Sequence, residues 1–409
     1  MKVLFSFALL FIVSIASAQN LQVQDLTVTG TTTLALPPVV AGGCQNILSY
    51  GGVGNGSTDN TQPLTNALAA STGGHTCVYF PPGKYNFASA VSYTLPSNGA
   101  SVTIRGDGAD VTELTWPNAN GGITVNYSSP GNSAHFRDMT ISTGQTGGGN
   151  GIHLHQTACL NQFAQSDIHR VTFRGADNDS GTGGNDYWSI AYLIDGVSGT
   201  SIDTVTVYGN KYAQGAGGQY QGSSTGCYAI YHNVSKSTFN ELNFGIIYGT
   251  YSQGLTITQT NFQNGVTAIY VPPGSVGQAQ LQVSDSQFND SGNAISILSD
   301  VGGVMIHNND FFSSPSNSSV LITPYDEVTV TGNVFNAQAG GGTIGLALGT
   351  PATSGEVAVV SGNLFGSQAV GVLLESGSRG VNVQSNVYTG NTTNVENLGS
   401  GNTVGGGSP

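Results

Sequence analysis

Charge is the scarcest property of this chain. Its 409 residues hold 9 Lys and Arg against 22 Asp and Glu, 8% charged in all, with a formal net charge of −13. Helical surfaces draw on Glu, Lys, Arg and Ala, so a largely helical fold is excluded. An acidic chain without a basic stripe has nothing with which to displace counterions, which excludes nucleic acid as a partner. Polyanionic sugars are repelled at long range unless a cation or a local Arg cluster intervenes. Long apolar runs are also missing: the apolar-rich run Val3 to Ile15 falls short of the roughly 20 residues that cross a bilayer, and no later stretch reaches that length. No membrane span is expected. Together with Lys2 and the small-residue site Ala16-Ser17-Ala18, that run makes residues 1–18 a secretory signal,. The mature chain is expected to start near Gln19 and to be secreted, extracellular or periplasmic. Cysteine is sparse too, with Cys44, Cys77, Cys159 and Cys227 at spacings that resemble no zinc site,. In an exported chain they read as two disulfides, Cys44 with Cys77 and Cys159 with Cys227, one of three pairings that four cysteines allow. Free thiols are the alternative in a reducing compartment.

Gly, at 60 residues, is about twice its usual ~7% share, and Val, Ile, Thr, Ser and Asn accompany it. These are strand and turn formers. In the C-terminal two thirds, strands of alternating pattern end in Asn or Gln and then, directly or one residue on, an aromatic: Phe262, Phe288, Phe311, Phe335, Phe365 and Tyr388, in steps of 26, 23, 24, 30 and 23 residues. Such a period suits one coil of a solenoid, and a coil that cannot bury its apolar face alone must stack. A second strand recurs in each period as a small residue followed by alternating apolar positions: Gly151 to His155, Ala268 to Val271, Ala294 to Ile297, Gly345 to Leu348 and Gly371 to Leu374. Period-2 alternation points Ile152 and Leu154 inward and His153 and His155 outward. Asn261, Asn309, Asn333, Asn363 and Asn386 are expected to stack as a hydrogen-bonded ladder. The pattern extends back through Ile141, Phe173, Tyr208 and Phe244 in steps of 32, 35 and 36, so these coils carry outward loops,.

Residues 59–70 hold the best helix signal, a short cap for the open end of the solenoid, with Asp59 or Asn60 near the N-cap. The expected organisation is a signal over 1–18, an N-terminal strand or linker over 19–40, one β-helix domain of about ten or more coils over 41–398 and a disordered Gly-rich tail over 399–409. The fold class is all-β, a single-stranded right-handed parallel β-helix.

The run from Asn46 through Tyr50-Gly51-Gly52-Val53-Gly54-Asn55-Gly56-Ser57-Thr58-Asp59, then Val78-Tyr79-Phe80-Pro81-Pro82-Gly83-Lys84-Tyr85, is a more specific pattern. It resembles the N-terminal signature of the pectate-lyase-like right-handed β-helix superfamily of rhamnogalacturonases, polygalacturonases and tailspike depolymerases. The resemblance implies a β-helix that acts on a polysaccharide. It marks the cap and first coils rather than a catalytic site. The Asn-Thr-Asp, Asp-Asp, His-Gly and Arg-Ile-Lys motifs of polygalacturonases are absent from this chain, so no catalytic residue is carried over. The trimers of tailspikes leave monomer and trimer both open.

Candidate chemistry gathers in residues 150–245, the coils with insertions. Aligning their second strands places His155, Asp195 and Asn233 in one outward column and His153, Leu193 and Tyr231 in the next. Adjacent coils lie about 4.8 Å apart, so His155 and Asp195 are expected to touch and share proton transfer. Asp186 is the expected second carboxylate of a glycoside hydrolase. The substrate-binding candidates are the aromatics Trp188, Tyr192 and Tyr231, with His153, Arg170 and Arg174. The two Arg are four apart on one strand and are expected to face the same way. No metal site or cofactor is expected, except Ca²⁺ if the reaction is an elimination. Asp177-Asn178-Asp179-Ser180-Gly181 resembles the start of a Ca²⁺ loop, but Trp188 stands where its last acidic ligand belongs,. Hydrolysis is favoured over elimination because the chain is acidic and short of Arg and Lys. The rival class is a non-catalytic adhesin, surface or glycan-binding protein.

Overall fold

A computed structural model describes residues 43–70, 74–159, 164–178, 183–224, 227–289, 292–313, 318–337 and 343–405. The expected signal (1–18) and N-terminal strand or linker (19–40) lie outside them. The described chain winds as a right-handed parallel β-helix of about 12 turns, with one sheet of 25 strands and another of 12. A regular coil runs Ser252–Thr258, Asn261–Gln263, Thr267–Val271. Its successor runs Gln278–Ser284, Gln287–Asn289, Ile295–Ile297, in parallel register strand by strand. These three strands define a first, a second and a third face. The first two share the 25-stranded sheet because a single residue turns the corner between them. That residue has left-handed backbone, with φ 60° at Asp138, 51° at Arg170, 50° at Gln259 and 70° at Gly332. Ser133–Thr143 and Ser166–Gly175 pass round it unbroken.

Like side chains stack on like inside the solenoid. Phe239, Phe262, Phe288, Phe311, Phe335, Phe365 and Tyr388 are in register on the second face. Their ring centroids are 4.7–5.5 Å apart. The small residue that opens each third-face strand makes room for this stack. A Cβ on Gly245 would sit 2.7 Å from Cδ1 of Phe262, and one on Gly345 would sit 2.7 Å from Cδ1 of Phe365. Further back the column is Ile141, Phe173, Val207 and Phe239. Tyr208 is therefore off the expected series by one residue. Phe244 belongs to the third face, where it pairs with Ala216 and Thr267, and this explains the short step between Phe244 and Phe262.

The ladder at the first corner holds Asn309, Asn333, Asn363 and Asn386. Each Nδ2 of the first three donates to the next Oδ1 at 3.0 Å. Asn261 is not a member, because the ladder residue stands two positions before the aromatic and Asn261 only one. Thr260 and Ser286 occupy that place: the Thr260 N–H donates to Ser286 Oγ at 3.1 Å and the Ser286 N–H to Asn309 Oδ1 at 3.0 Å.

The helix Thr61–Ala69 buries Leu64, Ala67 and Leu68 at the N-terminal end, and its N-cap is Asn60. The side chain of Asp59 accepts the free Thr61 N–H at 2.9 Å. Pro63 falls in the first turn, where no N–H is needed. Cys44–Cys77 and Cys159–Cys227 are the two disulfides. Among the described residues no helix is long and apolar enough to cross a membrane. At the other end Thr403–Val404 pairs with the strand Val381–Gln384. Order thus enters the segment expected to be a disordered tail, because an open sheet edge offers unpaired backbone groups that a further strand satisfies.

Candidate active site

Two third-face strands build the most concentrated group of functional side chains. Asn150–Gln156 points Ile152 and Leu154 into the core and His153 and His155 outward. In the next coil Ile190–Asp195 sets Asp195 directly beside His155. His155 Nδ1 lies 2.9 Å from Asp195 Oδ2, and His153 Nε2 lies 3.5 Å from the same oxygen. The other carboxylate oxygen accepts from Gln221 Nε2 at 3.3 Å, and Gln219 Nε2 donates to Gln221 Oε1 at 2.7 Å. Burial pushes the Asp195 carboxyl up, but the polar contacts from His153, Gln221 and His155 outweigh it and hold the group below the usual carboxylate range. Asp195 is therefore an anion at neutral pH, half-shielded from water and flanked by two imidazoles. Three metal-competent donor atoms, one from each of His153, His155 and Asp195, lie within 4.8 Å of one another.

The columns around this group differ from those expected. After Ile190–Asp195 the third face continues with Ala216–Gln221, so Asp195 neighbours Gln221, and Leu193 neighbours Gln219. Tyr231 and Asn233 lie on Ala229–Ser235, a first-face strand. Tyr231 is 65% exposed with φ 63°. It lines a groove of about 380 Å³ with Gln165, Gly199, Thr200, Ser201 and Asn233.

Asp186 does not join Asp195. It precedes Ile190–Asp195 while Asp195 ends it, so roughly 16 Å of strand separates them at ~3.3 Å per residue. Burial, and then the Asp177 charge, push the Asp186 carboxyl up. The Asp177 carboxylate itself clasps the loop, accepting the Asn185 N–H at 2.7 Å and the Asp186 N–H at 3.1 Å. Each Asp177 oxygen thus holds a backbone N–H, and residues 179–181 of that motif lie outside the described chain.

Trp188 and Tyr192 cannot stack on a sugar, since both are buried in the core. Trp188 Nε1 donates to the Ile141 carbonyl at 3.2 Å. Tyr192 shares the inward parity of Ile194, with its ring between Phe173 and Tyr220. Arg170 and Arg174 do not face the same way, because the left-handed corner at Arg170 resets the alternation. Arg170 points to solvent and pairs with Asp138 at 2.5 Å. Arg174 is buried, 3.4 Å from both Asp110 Oδ1 and Glu113 Oε2.

A second polar group lies on the first face. The Asp167 carboxylate takes His135 Nδ1 at 2.5 Å and Arg137 Nε and Nη2 at 2.9 and 2.7 Å. Burial raises its pKa, but hydrogen bonds from His135 and Arg137 lower it more. His169 Nδ1 lies 2.9 Å from Asp203 Oδ2. His135 has no local sequence motif that points to Asp167. The signal that finds it is spacing: 135 to 167 and 169 to 203 each span one local coil, like 141 to 173 and 173 to 207.

Comparison with known proteins follows the fold. Residues 44–323 match the family model described as rhamnogalacturonase A/epimerase, pectate lyase-like. No curated protein matches in sequence. The A-module of the mannuronan C-5 epimerase AlgE6 of Azotobacter vinelandii superposes with a TM-score of 0.65 at 16% identity, over 89% of this chain and 99% of that one. The N-terminal fragment of gene product 12 of bacteriophage Phi29 gives 0.57 at 14% identity, over 89% and 71%. The surface adhesin PfbA of Streptococcus pneumoniae gives 0.51 at 14%, over 87% and 91%. At such identities the likeness is one of fold, and it joins an enzyme, a phage protein and an adhesin.

Proposed function

The chain belongs to the rhamnogalacturonase A/epimerase, pectate lyase-like family, and from that premise we propose that it is an exported enzyme acting on a polysaccharide along the third face. His153, His155 and Asp195 are its reacting centre. The observation that carries this reading is the half-buried Asp195 anion in contact with two imidazoles, where the flanking outward residues Thr124, Asn126, Gln219 and Gln221 are neutral. One carboxylate beside an imidazole suits proton abstraction from a sugar carbon next to a carboxyl group, provided that a cation such as Ca²⁺ brought with the substrate offsets the repulsion between the sugar carboxylate and Asp195. Asp195 stabilises the imidazolium that His155 becomes when it takes the proton. The C–H electron pair then either forms a C=C bond as the glycosidic oxygen leaves, or takes a proton back on the opposite face. Elimination and epimerisation share that first step. Hydrolysis, favoured from sequence alone, needs two carboxylates roughly 5–10 Å apart, and Asp186 is too far along the chain to be the second.

The test is incubation of the mature protein on neutral and acidic polysaccharides, with and without Ca²⁺. It reads reducing ends, the ultraviolet absorbance of unsaturated uronides and the NMR spectrum of the sugar. The expected outcome is new absorbance or changed sugar configuration, reduced about 10²- to 10⁴-fold by Asp195→Asn. Reducing ends without absorbance would return the assignment to hydrolysis. The groove beside the exposed Tyr231 favours a second reading, a non-catalytic glycan binder. Silence across the panel with sugar binding retained would select it.

A further inference from the structure

We infer that His153, His155 and Asp195 form a chelating site for a divalent transition ion of the zinc, cobalt or nickel class. Only its effect on activity rests on the function proposed above. The backbone sets the ligands: the two His are two apart on one strand, and Asp195 is in register with His155 across the coil boundary. Their donor atoms lie within 4.8 Å of one another, with Asp195 Oδ2 at 2.9 and 3.5 Å from the two nitrogens. Tetrahedral ligands at ~2.0–2.2 Å from zinc stand roughly 3.3 Å apart, so the group closes round an ion by small side-chain rotations.

A second observation points the same way. His153 Nε2 is shielded from solvent and lies 3.5 Å from Asp195 Oδ2, beyond a normal hydrogen-bond length,. An unprotonated Nε2 would turn a lone pair toward a carboxylate, and a cation between the two satisfies both. Gln221, itself held by Gln219, anchors the far carboxylate oxygen and leaves Oδ2 aimed at the imidazoles. Outer partners of this kind fix ligand orientation in metal sites. Two imidazoles select zinc-class ions over Ca²⁺ or Mg²⁺, which favour oxygen ligands. The other His–Asp pairs lack this arrangement: Arg137 occupies both oxygens of Asp167, and Asp203 has one imidazole with Ser235 and Thr204. Three protein ligands leave a fourth position open to water or a sugar oxygen. A bound ion takes the lone pairs that proton transfer uses, so zinc silences the enzyme and a chelator restores it.

The experiment is titration of the EDTA-treated, desalted protein with Co²⁺, followed by visible d–d absorption, and with Zn²⁺ by calorimetry. One equivalent is expected to bind. His153→Gln and Asp195→Asn should lose the site, and Gln221→Ala should weaken it about 10- to 100-fold. His135→Gln, on the first face, should bind as the parent does. No binding by the parent protein, or undiminished binding by a folded His153→Gln, would overturn the inference. Zinc that binds without slowing polysaccharide turnover would leave the ion site standing and remove the triad from catalysis instead.

Discussion

The coils on either side of residue 250 share one geometry and differ in what they stack. From Ser252 to Gln384 successive coils repeat like on like, aromatic on aromatic and Asn on Asn, and Arg379 is the sole Lys or Arg beyond residue 250. From Ser133 to Ser235 the coils lengthen and the columns mix. His135 meets Asp167, His155 meets Asp195, His169 meets Asp203 and Thr200 meets His232. Stability in a solenoid comes from neighbouring coils, and identical neighbours pack without polar mismatch. Chemistry needs unlike residues in register. The molecule separates the two demands along its axis.

Breaking the regular half should cost most. Phe335→Ala removes a ring held 4.7 Å from both neighbours and should lower stability by about 4 kcal/mol, read as a shift in the urea midpoint. In the irregular half, Arg174→Ala removes a buried side chain and one of the two cations that face the Glu113 carboxylate, leaving it to Lys84 at 3.1 Å and the Thr115 and Ser142 hydroxyls. The expected loss is about 3 kcal/mol, and a Glu113→Gln second change should recover part of it.

His232 sharpens the contrast through pH. Burial pushes its pKa down to about 4, below its unfolded value, so the unfolded chain binds the extra proton first. Its contribution is intact above about pH 6.5 and falls as pH drops toward 4, by roughly 2–3 kcal/mol. Melting curves across that window should flatten in His232→Gln, and a slope unchanged by the substitution would assign the effect to the carboxylates. Arg170→Ala should leave the melting midpoint where it is, since its pair with Asp138 is exposed to solvent,.

Sequence reading was most reliable where like stacks on like. The aromatic steps and the third-face strands from Gly151 to Leu374 follow from repetition that survives in one dimension, and both disulfides match the pairing favoured among three. The contact of His155 with Asp195 was legible because Ile152 to His155 alternate inward and outward and the two strands align end to end, although Ala191 to Ile194 are all buried. Ala216–Gln221 carries Gly217 and Gly218 in place of an apolar alternation. The third face was therefore continued through the wrong strand, taking Tyr231 and Asn233 with it. Arg170 misled because a left-handed corner leaves no mark in side-chain chemistry. Tyr192 was misjudged by residue type, although its parity with Ile194 already placed it inside.

The repeated corner and stack also make the coil a unit of editing. Positions 288, 311 and 335 are interchangeable in register and surroundings. A chain cut after one such position and resumed after the next rejoins equivalent ends, with every column shortened by one. The molecule can thus change length in whole steps of about two dozen residues, and neither the helical cap nor the His–Asp group near residues 153–195 registers the change.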